Sequence, residues 1–236
     1  MKVSLIIPTY DEEDSIAKTL KEVPRKYINE IIVVDISTDR TAEIAKKLGC
    51  KVFRQQGKGF GGAFRQGVEH SSGDVVLLMD ADGSHNPKDI PKLLKKIKEG
   101  YDCVLASRYT IESHSEDDTP LRSFGNWLIT NLVNLLFRIN TTDSLFLYIA
   151  IKKDAYNKLN LKSNGFDYCI EFLAKAYAYG LKMAEVPSIE RRRFAGRTKV
   201  NDIKHGFLLI ASIFRWKSRL SKLVRMRNRE RRAISK

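Results

Sequence analysis

Short apolar runs alternate with amphipathic stretches along the first hundred residues, and each run ends in a polar or turn-forming residue. VSLIIP at 3–8 is an apolar run closed by a proline, the pattern of a strand covered on both faces. From Ser15, SIAKTLKEV sets Ile16, Leu20 and Val23 on one helical face, with Ser15 as the expected cap. EIIVVD at 30–35 predicts the second strand. STDRTAEIAKKLG follows as a helix that Asp39 or Thr41 caps and Gly49 ends. KVFR predicts a third strand, FGGAFRQGVEHSSG a turn and helix, and DVVLLMD at 74–80 a fourth strand. PKDIPKLLKKIKEG then reads as a helix and YDCVLASR at 101–108 as a fifth strand. This alternation predicts an α/β fold, a Rossmann-like, mostly parallel sheet flanked by helices on both faces.

In such sheets ligands bind beyond the carboxyl ends of the strands. Pro8 to Glu12 follow the first strand, Asp35 ends the second, Asp80 and Asp82 end the fourth, and Ser107 and Arg108 end the fifth. All are expected on one rim, lining a crevice. LLMDADG at 77–83 is the most informative stretch there, because two aspartates separated only by Ala81 repel each other unless a cation or hydrogen bonds compensate. Along an extended segment both side chains point the same way. Hard oxygen ligands select Mg2+ or Mn2+, ions that keep waters and take up phosphates. An ion bridging a diphosphate makes that group a better leaving group, so the implied substrate is a nucleotide carrying an activated group.

Length and charge narrow this picture. A chain of 236 residues with 43% hydrophobic content supports one large domain with a tail. Cys50, Cys103 and Cys169 are scattered and form no CxxC pair, which predicts buried reduced thiols. His70, His85, His114 and His205 never fall at metal-binding spacing. GKGFGG at 57–62 fits GxGxxG by letters but follows the third strand, so dinucleotide binding is disfavoured and Lys58 is instead expected near a diphosphate. The net charge of +14 gathers in the tail, where Arg215 to Lys236 hold ten Lys or Arg against one acid, Glu230. Such a tail suits phosphates, on lipid headgroups or on nucleic acid.

SLIIPTYDEEDSI, VVDISTDRT, GKGFGGAFRQG, LLMDADG and ASRY, in that order, resemble the inverting family 2 glycosyltransferases of the GT-A fold. Within that family the likeness is to the polyprenyl-phosphate (dolichyl-phosphate) sugar transferases, and it resumes with GFDYCIEFLAKAYAYGLKMAEVPSIERRRFAGRTK at 165–199. The resemblance implies that Pro8, Tyr10, Glu12 and Asp35 hold the donor nucleotide and that Asp80 and Asp82 hold the metal, Asp82 more directly; Asp80 and the Lys58 of the glycine-rich loop complete the expected donor site. It also implies that Arg108, Arg122, Arg193 and Lys199 approach phosphates of the acceptor. Two positions depart from the family pattern. Gly83, Ser84 and His85 stand where some relatives have LQH, and Asp143 is followed by SLFLYIA where many have an SGFR-like segment.

The implied reaction moves a sugar from a GDP-mannose or UDP-glucose type donor to a polyprenyl phosphate, inverting the anomeric centre. A phosphate acceptor is already ionised near neutral pH and needs no strong base, whereas an alcohol needs one. Asp143 either is that base or orients an arginine, and Asp82 and Arg108 complete the expected catalytic set. The implied catalytic domain spans residues 1–202. In the remaining 203–236, Leu209, Ile213, Trp216, Leu220 and Leu223 form a helical stripe bordered by Arg215, Lys217, Arg219, Lys222 and Arg225. This tail either lies on an anionic membrane or packs on the body, on a second copy or on a membrane protein. The helix WLITNLVNLLF, residues 127–137, is expected in the core or near lipid. No secretory signal opens the chain and no apolar run reaches the roughly 20 residues of a membrane span, so a peripheral protein on the cytoplasmic face is expected. A soluble transferase acting on a polysaccharide or glycoprotein is the alternative within enzymes. A nucleic-acid binder is disfavoured because RMRNRERR has no interleaved aromatics.

Overall fold

The computed structural model describes residues 1–195 and 202–234. Its first half is a repeated strand–helix unit. Strands β1 (Val3–Thr9), β2 (Glu30–Asp35), β3 (Lys51–Arg54) and β4 (Val75–Leu78) are followed in turn by helices α1 (Ile16–Glu22), α2 (Thr41–Lys47), α3 (Phe60–His70) and α4 (Ile90–Lys98). Next come β5 (Cys103–Ser107), β6 (His114–Ser115), α5 (Pro120–Phe137), β7 (Ile149–Lys152), α6 (Lys153–Leu159) and α7 (Tyr168–Tyr179). β8 (Met183–Pro187), β9 (Ile189–Glu190) and the long α8 (Asp202–Ile234) complete the chain.

The main sheet has the order β3-β2-β1-β4-β7-β5-β8. Every described pairing in it is parallel except those of β7, which runs against both β4 and β5. β6 and β9 form a small separate ribbon. The α/β fold with a mostly parallel sheet is therefore as the strand–helix alternation predicts. Alternating strand side chains feed two cores, one on each face. Ile6, Ile32, Val34 and Leu78 join Phe64, Phe137 and Phe172 from α3, α5 and α7. Leu5, Ile7, Val33 and Leu77 join Leu20, Ile90 and Leu93 from α1 and α4.

Several local expectations are corrected. Ser15 occupies the N-cap of α1 but makes no capping bond, because its Oγ donates to the Glu12 carboxylate at 2.7 Å. The N-cap of α2 is Arg40, with no side-chain capping bond, instead of Asp39 or Thr41; Asp39 accepts the Thr41 N–H at 2.9 Å from one residue earlier, and Gly49 follows that helix with φ +79°. β4 stops at Leu78, and the chain bends through Ala81 to Gly83 instead of staying extended. α5 starts seven residues before the apolar run, at Pro120, where Thr119 Oγ1 accepts the Arg122 N–H. All three cysteines are free and buried.

The apolar stripe of the tail does not face lipid. Leu209, Ile213, Trp216 and Leu220 are buried in the core beside α5 and α7, with Leu223 packed against them. Lys217 Nζ donates to the Leu136 carbonyl at 2.7 Å, and Arg227 Nη1 to that of Tyr177 at 3.3 Å, which fastens the helix to both neighbours. A different set of apolar side chains, Phe207, Leu208 and Phe214, lies exposed on α8. Among the described residues no helix is long and apolar enough to cross a membrane.

Candidate active site

The ends of β1 and β2 form a polar shelf. Asp35 closes β2 and is buried, and its Oδ1 accepts hydroxyl bonds from Thr9 at 2.7 Å and Ser37 at 2.6 Å. Arg54 Nη1 stands 3.3 Å from its other oxygen. Asp11 takes a left-handed conformation, φ 51°, which lets its carboxylate accept the Thr38 N–H at 2.9 Å while its own N–H donates to Ser37 Oγ at 2.8 Å. These bonds tie the loops after β1 and β2 together, with Pro8 at the strand end, Tyr10 exposed above it and Glu12 held by Ser15.

Asp80 and Asp82 lie just past β4, and their surroundings differ. Asp82 is buried, and its Oδ1 accepts the Ser84 N–H at 3.0 Å while its Oδ2 pairs with Arg193 Nη1 at 2.9 Å. The Asp80 N–H donates to His85 Nδ1 at 3.2 Å, so a neutral His85 carries its proton on Nε2, 3.7 Å from Asp80 Oδ2. His85 stacks on Tyr148 and meets the edge of Phe146, and burial there holds its pKa down to about 3. Asp80 Oδ1 is buried with no hydrogen-bond partner. Burial, and then the neighbouring Asp82 charge, push the Asp80 carboxyl well above the ordinary carboxylate range.

A divalent cation fits this pair, because it would supply the partner that the orphaned oxygen lacks and relieve the repulsion between the two carboxylates. Among the described residues no group of three or more His, Cys, Asp or Glu is gathered to hold a metal. Asp80 and Asp82 are the residues that could hold such an ion, which would then need water or phosphate oxygens as further ligands.

Arg108, at the end of β5, is the centre of a buried ion network. Its Nε donates to Asp143 Oδ2 at 2.7 Å, its Nη2 to Asp143 Oδ1 at 3.1 Å and its Nη1 to Glu190 Oε2 at 3.1 Å. Asp118 Oδ1 stands 4.0 Å from Nη1. Burial opposes the Arg108 charge, yet Asp143 outweighs it and raises the pKa well above the usual value. Asp143 is fully buried, and its Oδ1 also accepts the Leu145 and Phe146 N–H groups, each at 3.2 Å. Arg108 is therefore held by carboxylates of the protein itself, and Asp143 is an arginine-orienting group in its geometry.

The remaining expected cations are placed unequally. Arg122 Nη1 and Arg193 Nε both approach Asp117 Oδ2, at 3.4 and 3.6 Å. Lys58 is exposed in the loop before α3. The glycines around it serve close packing: a Cβ at Gly59 would stand 2.3 Å from the Asn164 carbonyl oxygen, and one at Gly61 2.6 Å from that of Ser163. Lys199 lies outside the described residues.

Residues 191–194 are zipped to the aspartate loop. Arg191 N–H donates to the Ser84 carbonyl, Phe194 N–H donates to that of Asp82, each at 2.9 Å, and Arg191 Nε reaches Gly83 O at 3.1 Å. Gly83 has φ +86°, and a Cβ there would lie 2.4 Å from the Phe194 ring. Lys18 Nζ caps that ring at 3.7 Å from its centroid. Asp117, Asp118 and Glu190 were not anticipated as site residues. Glu190 is signalled only by its place just before the triple arginine, and the two aspartates stand in a loop whose role depends on pairing across β6 and β9.

A cavity of about 500 Å3 takes in Asp80, Arg108, Arg122 and Arg193, but none of Pro8, Tyr10, Glu12, Asp35, Lys58 and Asp82 lines it. One end is charged, lined by Asp80, His85, Arg108, Asp117, Glu190 and Arg193. Its remaining lining is largely apolar and includes Phe124 and Leu128 of α5, Phe207 of α8, and Leu145 and Phe166.

The Glycosyl transferase family 2 model matches residues 4–160. The chain is 32% identical over 243 aligned positions to a dolichol-phosphate mannosyltransferase of Pyrococcus furiosus, covering 95% of this chain and 67% of that one. It is 30% identical over 213 residues to a dolichyl-phosphate hexose transferase of Haloferax volcanii, covering 89% and 92%. Among solved structures, glucosyl-3-phosphoglycerate synthase of Mycobacterium tuberculosis, crystallised with Mn2+, UDP and glucosyl-3-phosphoglycerate, superposes with a TM-score of 0.73 at 20% identity, over 92% of this chain and 80% of that one. That superposition bears on the fold, which is GT-A. By its match to the family model and to these relatives, the chain is a glycosyltransferase and belongs to glycosyl transferase family 2.

Proposed function

We propose that the protein transfers a sugar from a nucleoside-diphosphate sugar to a polyprenyl phosphate at a membrane surface, inverting the anomeric centre. The observation that carries this reading is the lining of the cavity, which combines the charged Asp80, Arg108, Arg122 and Arg193 with apolar side chains of α5 and α8 such as Phe124, Leu128 and Phe207. A lipid phosphate has that same polarity: an anionic head and a long hydrocarbon chain. The names of the Pyrococcus and Haloferax relatives support the lipid acceptor. The Mn2+ and UDP in the mycobacterial structure support the metal and the nucleotide.

In this reading Asp35, Tyr10 and Glu12 receive the nucleoside on the polar shelf, and Asp80 and Asp82 hold Mg2+ or Mn2+ against its diphosphate. The ion, when bound, neutralises charge on the departing diphosphate. Arg122 and Arg193, and Lys199 in the undescribed segment, bring the acceptor phosphate to the anomeric carbon by cancelling its repulsion from the donor. The acceptor is ionised already, so no residue has to remove its proton, and Asp143 acts by fixing Arg108. Arg108 then shapes the charged wall and does not itself swing onto the acceptor.

The membrane reading moves from the buried stripe of α8 to another surface. Leu121, Phe124, Trp127 and Leu128 of α5, together with Phe207 and Leu208 of α8, are exposed, and several of them line the cavity. A lip of this kind inserts at the level of lipid headgroups and admits the acceptor chain sideways. The protein then works as a peripheral enzyme on the cytoplasmic face.

Incubation with a labelled nucleotide sugar, Mn2+ and vesicles containing polyprenyl phosphate tests the proposal. Label that partitions into organic solvent, only when both metal and lipid phosphate are present, is the expected result. Label transferred to a water-soluble acceptor and absent from the organic phase overturns it.

A further inference from the structure

Arg193 pairs with Asp82, one of the two carboxylates read above as the metal pair. Its Nη1 stands 2.9 Å from Asp82 Oδ2, while the Ser84 N–H is taken by the other oxygen, Oδ1. The guanidinium is held on its other side by Asp117, whose Oδ2 also faces Arg122. The backbone on which it rides is zipped to the aspartate loop, with Phe194 N–H on the Asp82 carbonyl and the Phe194 ring against Gly83. Arg193 Nε is buried and makes no hydrogen bond, so the side chain is not satisfied at every donor where it now sits.

We propose that Arg193 is a built-in competitor for the metal: its guanidinium occupies Asp82 Oδ2 in the metal-free enzyme, and metal binding displaces it towards Asp117. This rests on the reading of Asp80 and Asp82 as the metal pair. Displacement leaves Arg193 and Arg122 side by side on one carboxylate oxygen, two guanidiniums with less negative charge to share and a phosphate-sized task between them. The acceptor arginine is thereby freed only when the metal that must activate the donor is in place. By linkage, a phosphate that draws Arg193 away from Asp82 strengthens metal binding by the same factor. The device orders the reaction, donor side first, and it keeps an enzyme without metal from presenting Arg193.

Titration with Mn2+ alone, read by the paramagnetic resonance of the unbound ion, tests this without turnover. Arg193→Gln is expected to bind Mn2+ about tenfold more tightly than the wild type, the scale of one partly buried ion pair. Arg193→Lys keeps the competing charge and is expected to stay within about twofold of the wild type. In a chain that already carries Asp82→Ala, adding Arg193→Gln should no longer tighten binding. If Asp82-dependent binding is present in the wild type but Arg193→Gln binds no more tightly, the competition is overturned while the metal site stands. Equal tightening by the glutamine and lysine variants also overturns it. If the wild type shows no Asp82-dependent Mn2+ binding, the metal assignment falls and the competition falls with it.

Discussion

Arg108 and Asp143 meet as a two-pronged pair, with Nε to Oδ2 at 2.7 Å and Nη2 to Oδ1 at 3.1 Å, both side chains out of reach of bulk water. A buried charge that loses its partner costs far more than the pair gains by forming. Asp143→Ala should therefore destabilise the protein by about 3–5 kcal/mol in urea unfolding, and Arg108→Ala by a similar amount. The double variant should lose less than the sum, with a coupling of about 1–3 kcal/mol. Glu190, which also faces Arg108, sets part of the residual cost.

Gly83→Ala meets two penalties at once, a left-handed backbone and the Phe194 ring. A loss of about 2–3 kcal/mol in chemical denaturation is expected, with Phe194→Ala in the same chain restoring part of it. The steric share is what the second substitution recovers, and the backbone share stays.

His85 gives a pH signature of defined sign. Its folded pKa is lowered to about 3 from an ordinary 6.5, so between those values the unfolded chain binds a proton that the folded chain does not. Its contribution to stability is complete above pH 6.5 and is lost as pH falls towards 3. At pH 5 the loss is about 2 kcal/mol. His85→Gln should flatten the stability profile across that window, measured by denaturation at each pH. Asp80 tilts stability the other way: its raised pKa means that the folded chain keeps a proton the unfolded chain has released, so stability falls as pH rises beyond the ordinary carboxylate range.

Asp82→Ala should lower transfer by about 100-fold or more, as expected when a metal worth several kcal/mol of charge stabilisation is lost. Chelation of the wild type should do the same, and added Mn2+ should restore only the wild type. Steady-state transfer assays before and after chelation read both.

The cavity makes a prediction about chain length. Phe124→Ser with Phe207→Ser removes two exposed aromatic rings that line it, and should raise KM for a long polyprenyl phosphate by about tenfold. KM for the nucleotide sugar, and for a short-chain acceptor that never reaches the lip, should stay unchanged.

The parallel framework was legible because buried strands write themselves as unbroken apolar runs, and β1, β2 and β5 stand close to where those runs lie. Aspartates at the ends of such runs were legible for the same reason. What escaped depends on partners far apart in the chain. Glu190 joins Arg108 across 82 positions, and Asp82 joins Arg193 from an equally remote part of the chain, so no local pattern announces either contact. The tail shows a complementary failure. Its spacing correctly marks a helix with an apolar stripe, but the same stripe suits lipid or protein, and only the apolar faces that α5 and α7 offer decided for protein. β7 was missed because IAIK is short and carries no turn signal that separates it from its surroundings.

The reversed direction of β7 also divides the molecule for anyone who wishes to modify it. Asp143 meets Arg108 from upstream of this strand, whereas Lys152 and Lys153 lie at its other end, bonding Asp102 and the Asp74 carbonyl. A fluorophore or surface tether attached on α6 would sit at the opposite end of β7 from Asp80 and Arg108.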